Sequence, residues 1–169
     1  ITTAERARDL ARPVVTVEAM SLGGTRIGEY YENWAGWHDN AFQAYLAALW
    51  ARSELTPADI DVFYPYEGYS IDAIAIIEAA GFCGVGEASD FLKSSWNPAA
   101  QRLRMNGRTE VNTNGGCLAH GRSGGSNLYA EAVRQLRGGE GARQVAGAKT
   151  ALVGIGSFFH DPSAVTFTA

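Results

Sequence analysis

The chain has 169 residues, of which 46% are hydrophobic and 19% are charged, with a net charge of −4. This composition is typical of a globular domain large enough to bury a core, and its acidic balance gives no reason to expect nucleic acid or an anionic membrane as a partner. No stretch approaches the ~20 apolar residues of a membrane span. Two isolated cysteines, Cys83 and Cys117, lack metal or redox spacing. They fit a reducing cytoplasm, and a disulfide between them is the minor alternative.

Strands and helices are expected to alternate from the start of the chain. Alternating residues predict a strand over Pro13–Met20. The aromatic-rich segment Gly28–Asn40 predicts a loop or irregular helix that carries a substrate or partner surface, or else aromatic packing beneath a long loop. Ala41–Ser53 should be a helix because its large apolar residues recur every three or four positions. Thr56 and Pro57 then mark a short helical turn.

The alternation continues through the rest of the chain. A strand is expected at Asp61–Tyr66, followed by a helix at Ser70–Ala80 with its isoleucines, Ile71 included, buried. The later predictions are a short helix at Gly86–Ser94, an irregular segment at Trp96–Asn106, a strand around Thr109 and Val111, a helix at Asn127–Arg137, and closing strands at Thr150–Ile155 and Val165–Thr168. This alternation predicts an α/β layered domain.

The most informative segment is Asn112–Gly125, which reads N-T-N-G-G-C-L-A-H-G-R-S-G-G and has five glycines within eleven residues. Glycine is needed where the backbone takes a positive φ or must approach another group closely. Such a loop before a helix suits contact with a ligand or a second backbone. On spacing alone, a tight turn with incidental polar residues is an equally open interpretation.

The residue order in this segment resembles the N-x-x-G-G-x-x-x-x-G-H-P-x-G motif in the C-terminal half of thiolases. It is closer to the thiolase-like lipid-transfer proteins, including the aldolases that shorten steroid side chains. In those the loop precedes a helix ending EAVRQLRG, the residues found here at Glu131–Gly138. Asp59–Ser70 resembles the thiolase segment D-x-D-x-x-E-x-N-E-A-F-A, and Gly81–Glu87 resembles G-F-C-x-x-G-E of the lipid-transfer group. The chain is therefore identified as a member of the thiolase superfamily.

The resemblance implies a thiolase-like C-terminal domain over residues 1–169, with a layered mixed sheet and helices on its faces. All three blocks fall in the C-terminal half of a thiolase, so we expect the chain to supply half of a subunit, as a proteolytic product, a separately encoded chain or a shortened version. Expected partners are a companion chain with the N-terminal half, a homodimer of whole subunits, and a small protein with an oligonucleotide-binding fold and a zinc ribbon. A coenzyme A thioester is expected as substrate, with no bound cofactor and no metal.

Tyr66 is the first candidate for chemistry. It ends a predicted strand, where thiolases have an Asn and the steroid aldolases a Tyr, and strand ends are where α/β folds tend to contact ligands. A tyrosine there could exchange a proton with the oxygen of a β-hydroxyacyl group; the alternative is a core tyrosine with a paired hydroxyl. Glu67, which matches the acidic residue of both patterns, is expected to orient the loop through backbone hydrogen bonds. The candidate substrate-binding residues are Glu67, Gly115, Gly116 and Ser123.

Arg122 departs from the family, because it stands where thiolases have a catalytic His and the steroid aldolases typically a Tyr. A guanidinium cannot act as a base near neutral pH, but it could hold an oxyanion, a thioester carbonyl or a phosphate. His120 could substitute as the acid/base, unless it is an exposed loop residue, and His160 is a reserve candidate. Thiolases carry a cysteine in the closing segment, and Gly154–His160 has none. Its absence argues against thiolase chemistry and fits a retro-aldol enzyme.

The sequence therefore predicts retro-aldol carbon–carbon cleavage of a β-hydroxyacyl-CoA whose acyl group could be a steroid side chain. Tyr66 would be the acid/base, and His120 or Arg122 would place the thioester oxygen. One alternative is a thiolase or acyl-CoA acyltransferase, which a reactive cysteine on a companion chain would support. The other is a non-catalytic acyl-CoA- or lipid-binding protein that kept the fold, an interpretation that Arg122 slightly favours.

Overall fold

The computed structural model describes residues 1–23, 41–121, 123–157 and 160–169. The predicted aromatic segment 28–40 and Arg122 lie outside these residues. The helices are α1 (Ala4–Ala7), α2 (Ala41–Trp50), α3 (Ser70–Ala79), α4 (Ala88–Ser95), α5 (Gly116–His120) and α6 (Ser126–Leu136). The strands are β1 (Thr16–Leu22), β2 (Val62–Pro65), β3 (Trp96–Asn97), β4 (Arg102–Met105), β5 (Thr109–Val111), β6 (Thr150–Ser157) and β7 (His160–Thr168).

The strands in the described part of the chain form one mixed sheet in the order β1-β7-β6-β2-β5-β4-β3. β2 runs parallel to both of its neighbours, β6 and β5, whereas the outer pairs are antiparallel. The carboxyl ends of the three parallel strands therefore meet at one edge of the sheet. In α/β sheets this edge is where ligands are bound, and the segments that follow β2 and β5 begin there.

Helices cover both faces of the sheet. Successive side chains of β2 point in opposite directions, so this strand contributes to the packing on each face. Phe63 belongs to the cluster formed with α2 and α3, whereas Val62 and Tyr64 belong to the cluster formed with α6. On the first face α2 buries Phe42, Tyr45, Leu46 and Leu49, as its periodicity predicts. On the second face α6 buries Leu128, Ala132 and Leu136. The predicted layered α/β architecture with a mixed sheet is confirmed.

Two local predictions are wrong. Ile71 is 44% exposed, because the buried side of α3 carries Asp72 in its first turn and Ala75, Ile76 and Ile77 in its second. The segment Trp96–Asn106, expected to be irregular, contains β3 and β4, which pair as a hairpin. Its pairing to β5 sets Arg104 opposite Glu110 and is supported by a salt bridge between the two side chains.

Candidate functional site at the carboxyl edge of the sheet

Tyr66 lies directly after β2 and continues its pairing with β6. Its backbone N–H donates to the carbonyl oxygen of Gly154 at 2.8 Å. Its side chain is half-buried and packs against both hydrophobic clusters, so it lies where the two faces of the sheet meet. The ring also lies close to the backbone of Gly68, since a Cβ built on Gly68 would stand 2.9 Å from the hydroxyl oxygen of Tyr66. The phenol is thereby held at the edge where ligand chemistry is expected.

Glu67 joins this strand end to the glycine-rich loop. Its carboxylate is buried, with Oε1 accepting a hydrogen bond from the backbone N–H of Leu118 at 3.0 Å. Oε2 accepts one from Nδ2 of Asn112 at 3.2 Å. The carboxylate also fills the position that a side chain on Gly116 would take, because a Cβ built there would stand 1.9 Å from Oε1. Glu67 thus accepts a backbone hydrogen bond from the loop, as the sequence led us to expect, and its part in substrate binding stays a prediction.

The loop itself turns through left-handed backbone conformations. Asn112, Gly115 and Gly116 have φ values of 44°, 83° and 65°. The turn is closed by a hydrogen bond of 2.7 Å from the N–H of Gly115 to the carbonyl oxygen of Asn112. Oδ1 of Asn114 accepts the N–H of Gly116 at 2.9 Å. These contacts start the short helix α5, which the sequence did not predict.

Two other predicted site residues, His120 and Ser123, are exposed to solvent. His120 ends α5 and is exposed. Ser123 is also exposed, and its hydroxyl donates to Oδ1 of Asn127 at 2.6 Å, inside α6. Arg122 and the side chain of His160 are outside the described part of the structure. The structure thus brings Tyr66 and Glu67 together with the start of the loop.

A buried polar network anchors the glycine-rich loop through the side chain of Thr113. The hydroxyl of Thr113 lies 2.9 Å from that of Tyr64 and donates to Oε1 of Glu131 at 2.9 Å. Gln135 donates to the same Thr113 oxygen at 3.2 Å and to the carbonyl oxygen of Arg143 at 2.8 Å. Arg143 also contacts Oε2 of Glu131 at 3.4 Å. This network ties the loop to both β2 and α6.

Comparison with known proteins identifies the family of this chain. Residues 32–168 match the family described as thiolase C-terminal domain-like. The chain belongs to that family. A solved structure named Ltp2-ChsH2(DUF35) aldolase superposes with a TM-score of 0.81 at 28% identity, covering 98% of this chain and 42% of that one.

Curated relatives of this thiolase-like domain include enzymes and lipid-transfer proteins. One is 17-hydroxy-3-oxo-4-pregnene-20-carboxyl-CoA lyase of Mycobacterium tuberculosis, 36% identical over 93% of this chain and 40% of the relative. Another is the steroid side-chain-cleaving aldolase of Thermomonospora curvata, 30% identical over 82% of this chain and 34% of the relative. Human sterol carrier protein 2 is 34% identical over 62% of this chain and 19% of the relative. The chain thus spans less than half the length of these relatives.

The two cysteines of the thiolase-like domain are free thiols. Burial raises the pKa of Cys117, and the neighbouring charge of Glu67 raises it further. Burial also raises the pKa of Cys83 to about 11, with added effects from Glu78 and Glu87. A protonated thiol is a poor nucleophile, so these raised pKa values disfavour both cysteines as nucleophiles.

Several buried polar atoms that the sequence did not single out have no hydrogen-bond partner in the described structure. They are both carboxylate oxygens of Asp72, the hydroxyl of Tyr45, Oδ1 of Asn112 and Nδ2 of Asn127. Such groups are rare in native proteins, so each one calls for a physical explanation. Asp72 is the one charged residue between Ser70 and Ile77, in an otherwise apolar helix. That isolated charge was the available signal in the sequence.

The described part of the structure has a groove that lies away from the predicted site residues. A groove of about 830 Å³ runs along α6 beside the segment before β1, lined by residues that include Arg12, Tyr129, Arg134 and Arg137. Within residues 1–23, 41–121, 123–157 and 160–169, no group of three or more His, Cys, Asp or Glu is arranged to hold a metal ion. In the same ranges no helix is long and apolar enough to cross a membrane.

Proposed function

We propose that this chain supplies the C-terminal half of an enzyme that cleaves a carbon–carbon bond of a β-hydroxyacyl-CoA by a retro-aldol reaction. The observation that carries the proposal is the position of Tyr66, which directly follows β2 at the carboxyl edge of the parallel strands and is followed by Glu67, whose carboxylate contacts the glycine-rich loop. The proposal draws further support from the names of two relatives, a pregnene-carboxyl-CoA lyase and a steroid side-chain-cleaving aldolase. We therefore propose a steroid-like acyl group as the substrate class.

In the proposed reaction, Tyr66 acts as the acid/base at the β-oxygen. The β-hydroxyl loses its proton and becomes a carbonyl, the bond between Cα and Cβ breaks, and its electron pair moves into the thioester as an enolate. A proton then returns to Cα. An enolate oxygen requires a donor or a positive charge within reach, because its developing charge must be stabilised. We propose His120 or Arg122 for this role, with the backbone at Gly115 and Gly116 and the hydroxyl of Ser123 contacting the substrate.

The proposed enzyme also needs the rest of a thiolase-fold subunit. This chain covers 40% of the lyase it resembles, so we propose a companion chain or segment with the N-terminal half and a homodimer of the completed subunits. The solved structure that it matches is named for two components. We accordingly propose a small oligonucleotide-binding-fold and zinc-ribbon protein as a further partner. A thiolase would take its reactive thiol from another chain, since the raised pKa values of Cys83 and Cys117 disfavour both as nucleophiles.

Replacing Tyr66 by Phe in the assembled protein tests this proposal. Loss of a general acid/base costs about 10²- to 10⁴-fold in rate, so kcat should fall by that factor while KM stays within about threefold. The assay would follow disappearance of a steroid β-hydroxyacyl-CoA and appearance of the ketone product by chromatography. Tyr69→Phe is the matched control, since Tyr69 is 65% exposed and lies in the same segment. Unchanged turnover in Tyr66→Phe would exclude Tyr66 as the acid/base.

A further inference from the structure

Gly68 occupies a position where any other residue would collide with the ring of Tyr66. A Cβ built on Gly68 would stand 2.4 Å from Cε1 of Tyr66 and 2.9 Å from both Cζ and the hydroxyl oxygen. Separations below 3.0 Å essentially never occur for real Cβ atoms, so the ring would have to move. Gly68 is not among the residues with a positive φ. The backbone conformation therefore does not require glycine at this position, and the space taken by the ring does.

Tyr66 and Gly68 both differ from the residues at the corresponding positions of the thiolase segment. Where that segment reads N-E-A, this chain reads Tyr66-Glu67-Gly68, so the larger side chain at the first position accompanies a smaller one at the third. Between them, Glu67 is held by the glycine-rich loop, which fixes the backbone on both sides of it. The ring of Tyr66 is thus confined by the sheet on one side and by the backbone of Gly68 on the other.

We propose that Gly68 is a positioning residue: its missing Cβ leaves the space in which the Tyr66 ring lies and so sets the place of the phenol oxygen. This inference rests on the proposed function, because it concerns the same group. The atoms that an alanine would displace are the hydroxyl end of the phenol. Since they are the free end of a side chain, the ring should shift while the domain stays folded.

The position of the ring is tested without any activity. The chain would be labelled with 3-fluorotyrosine, and the fluorine resonance of Tyr66 assigned by its loss in Tyr66→Phe. Gly68→Ala should move this resonance. Gly139→Ala is the matched control, because Gly139 also lacks a positive φ and its built Cβ meets only the carbonyl oxygen of Arg134, at 3.7 Å. An unmoved Tyr66 resonance in Gly68→Ala would overturn the inference.

Kinetics of the assembled protein test the catalytic consequence. A displacement of about 1 Å can cost roughly 100-fold in rate, so Gly68→Ala should lower kcat by that order and leave KM within about threefold. Adding Gly68→Ala to Tyr66→Phe should cost nothing more, because the group being positioned is already absent. Independent losses in the double variant, or full turnover in Gly68→Ala while Tyr66→Phe is inactive, would refute the positioning role alone. Full turnover in Tyr66→Phe would refute the proposed function instead.

Discussion

Glu67 and Asp72 are both buried carboxylates of the segment that follows β2, but their surroundings are opposite. Glu67 lies against the glycine-rich loop, and each of its oxygens accepts a hydrogen bond. Asp72 lies in the first turn of α3, where neither of its oxygens makes a hydrogen bond of normal geometry and the nearby backbone of Tyr69 favours the charged carboxylate only in part. The same contrast separates two fully buried tyrosines, since Tyr64 contacts Thr113 whereas the hydroxyl of Tyr45 is unpaired.

The hydrogen-bonded groups hold the loop in place, whereas burial of the unpaired groups lowers the stability of the folded protein. A buried polar group with partners contributes modestly to stability, and its removal leaves those partners unsatisfied. A buried group without partners has lost its hydrogen bonds to water and makes none to the protein in their place, so its burial lowers stability. Changes on the loop side should therefore destabilise the protein, whereas removal of the unpaired groups between α2 and α3 should be neutral or stabilising.

The largest expected change in stability is for Gly116→Ala, which would break the hydrogen bonds between Glu67 and the loop. The new Cβ would displace the Glu67 carboxylate and leave it buried without its partners, and the alanine would also be strained at a φ of 65°. We expect a loss of about 3 kcal/mol in the free energy of unfolding, measured by urea denaturation. Gly124→Ala is the control, because Gly124 has a φ of 60° and nothing within 4 Å of a built Cβ. It should cost only about 1 kcal/mol of backbone strain, and equal losses would contradict the role of Glu67.

A smaller effect of opposite sign is expected for Asp72→Asn. Burial raises the pKa of Asp72 to about 6, and the backbone of Tyr69 offsets only part of this. Between about pH 4 and 6 the unfolded chain loses this proton while the folded chain keeps it, so stability falls as the pH rises. Above pH 6 the penalty is fully present, on the order of 2 kcal/mol. The variant should therefore be more stable than the parent at pH 7.5 by about 1–2 kcal/mol, and the gap should close near pH 4.

Urea denaturation at pH 7.5, 5 and 4 measures this effect. Asp90→Asn is the matched control, since the Asp90 side chain is 94% exposed and paired only with Lys93 on the surface. Its effect should stay within about 0.5 kcal/mol at each pH. If Asp72→Asn were less stable than the parent at pH 7.5, Asp72 would have to be counted among the stabilising groups.

The smallest expected difference is between the two tyrosines. Tyr64→Phe removes a hydroxyl that contacts Thr113 and should cost about 1 kcal/mol. Tyr45→Phe removes an unpaired hydroxyl of the same kind at equal burial, and its effect should be zero or slightly stabilising. The midpoints of urea denaturation of the two variants, compared with that of the parent, measure the two changes in stability. Equal costs would mean that hydrogen bonding does not distinguish the two faces.

The sequence predicts the layered fold well, because long periodic segments such as α2 and α6 signal their buried sides directly. It misses the hairpin of β3 and β4, whose strands are too short to show periodicity and which is stabilised by pairing with the next strand, where Glu110 contacts Arg104. At the site, the motif points to Tyr66 and Glu67, which the fold places at the expected edge. Gly68 could not be chosen from the sequence, and Asp72 is marked there only by its isolated charge in an apolar helix. Their importance depends on what lies against them, and that is set by the tertiary structure.

The pairing of β1 with β7 has a consequence for how the chain acquires its structure. Among the described strands, β1 is at the edge of the sheet and pairs only with β7, joining Thr16 to Thr168. During synthesis β1 leaves the ribosome long before β7 exists, so the backbone groups that pair with β7 in the folded domain have no partner strand. Pairing between such distant segments is slow, and an exposed apolar strand edge invites association with other chains. We therefore expect nascent chains that lack β7 to depend on chaperones, and the sheet to close only after β7 emerges.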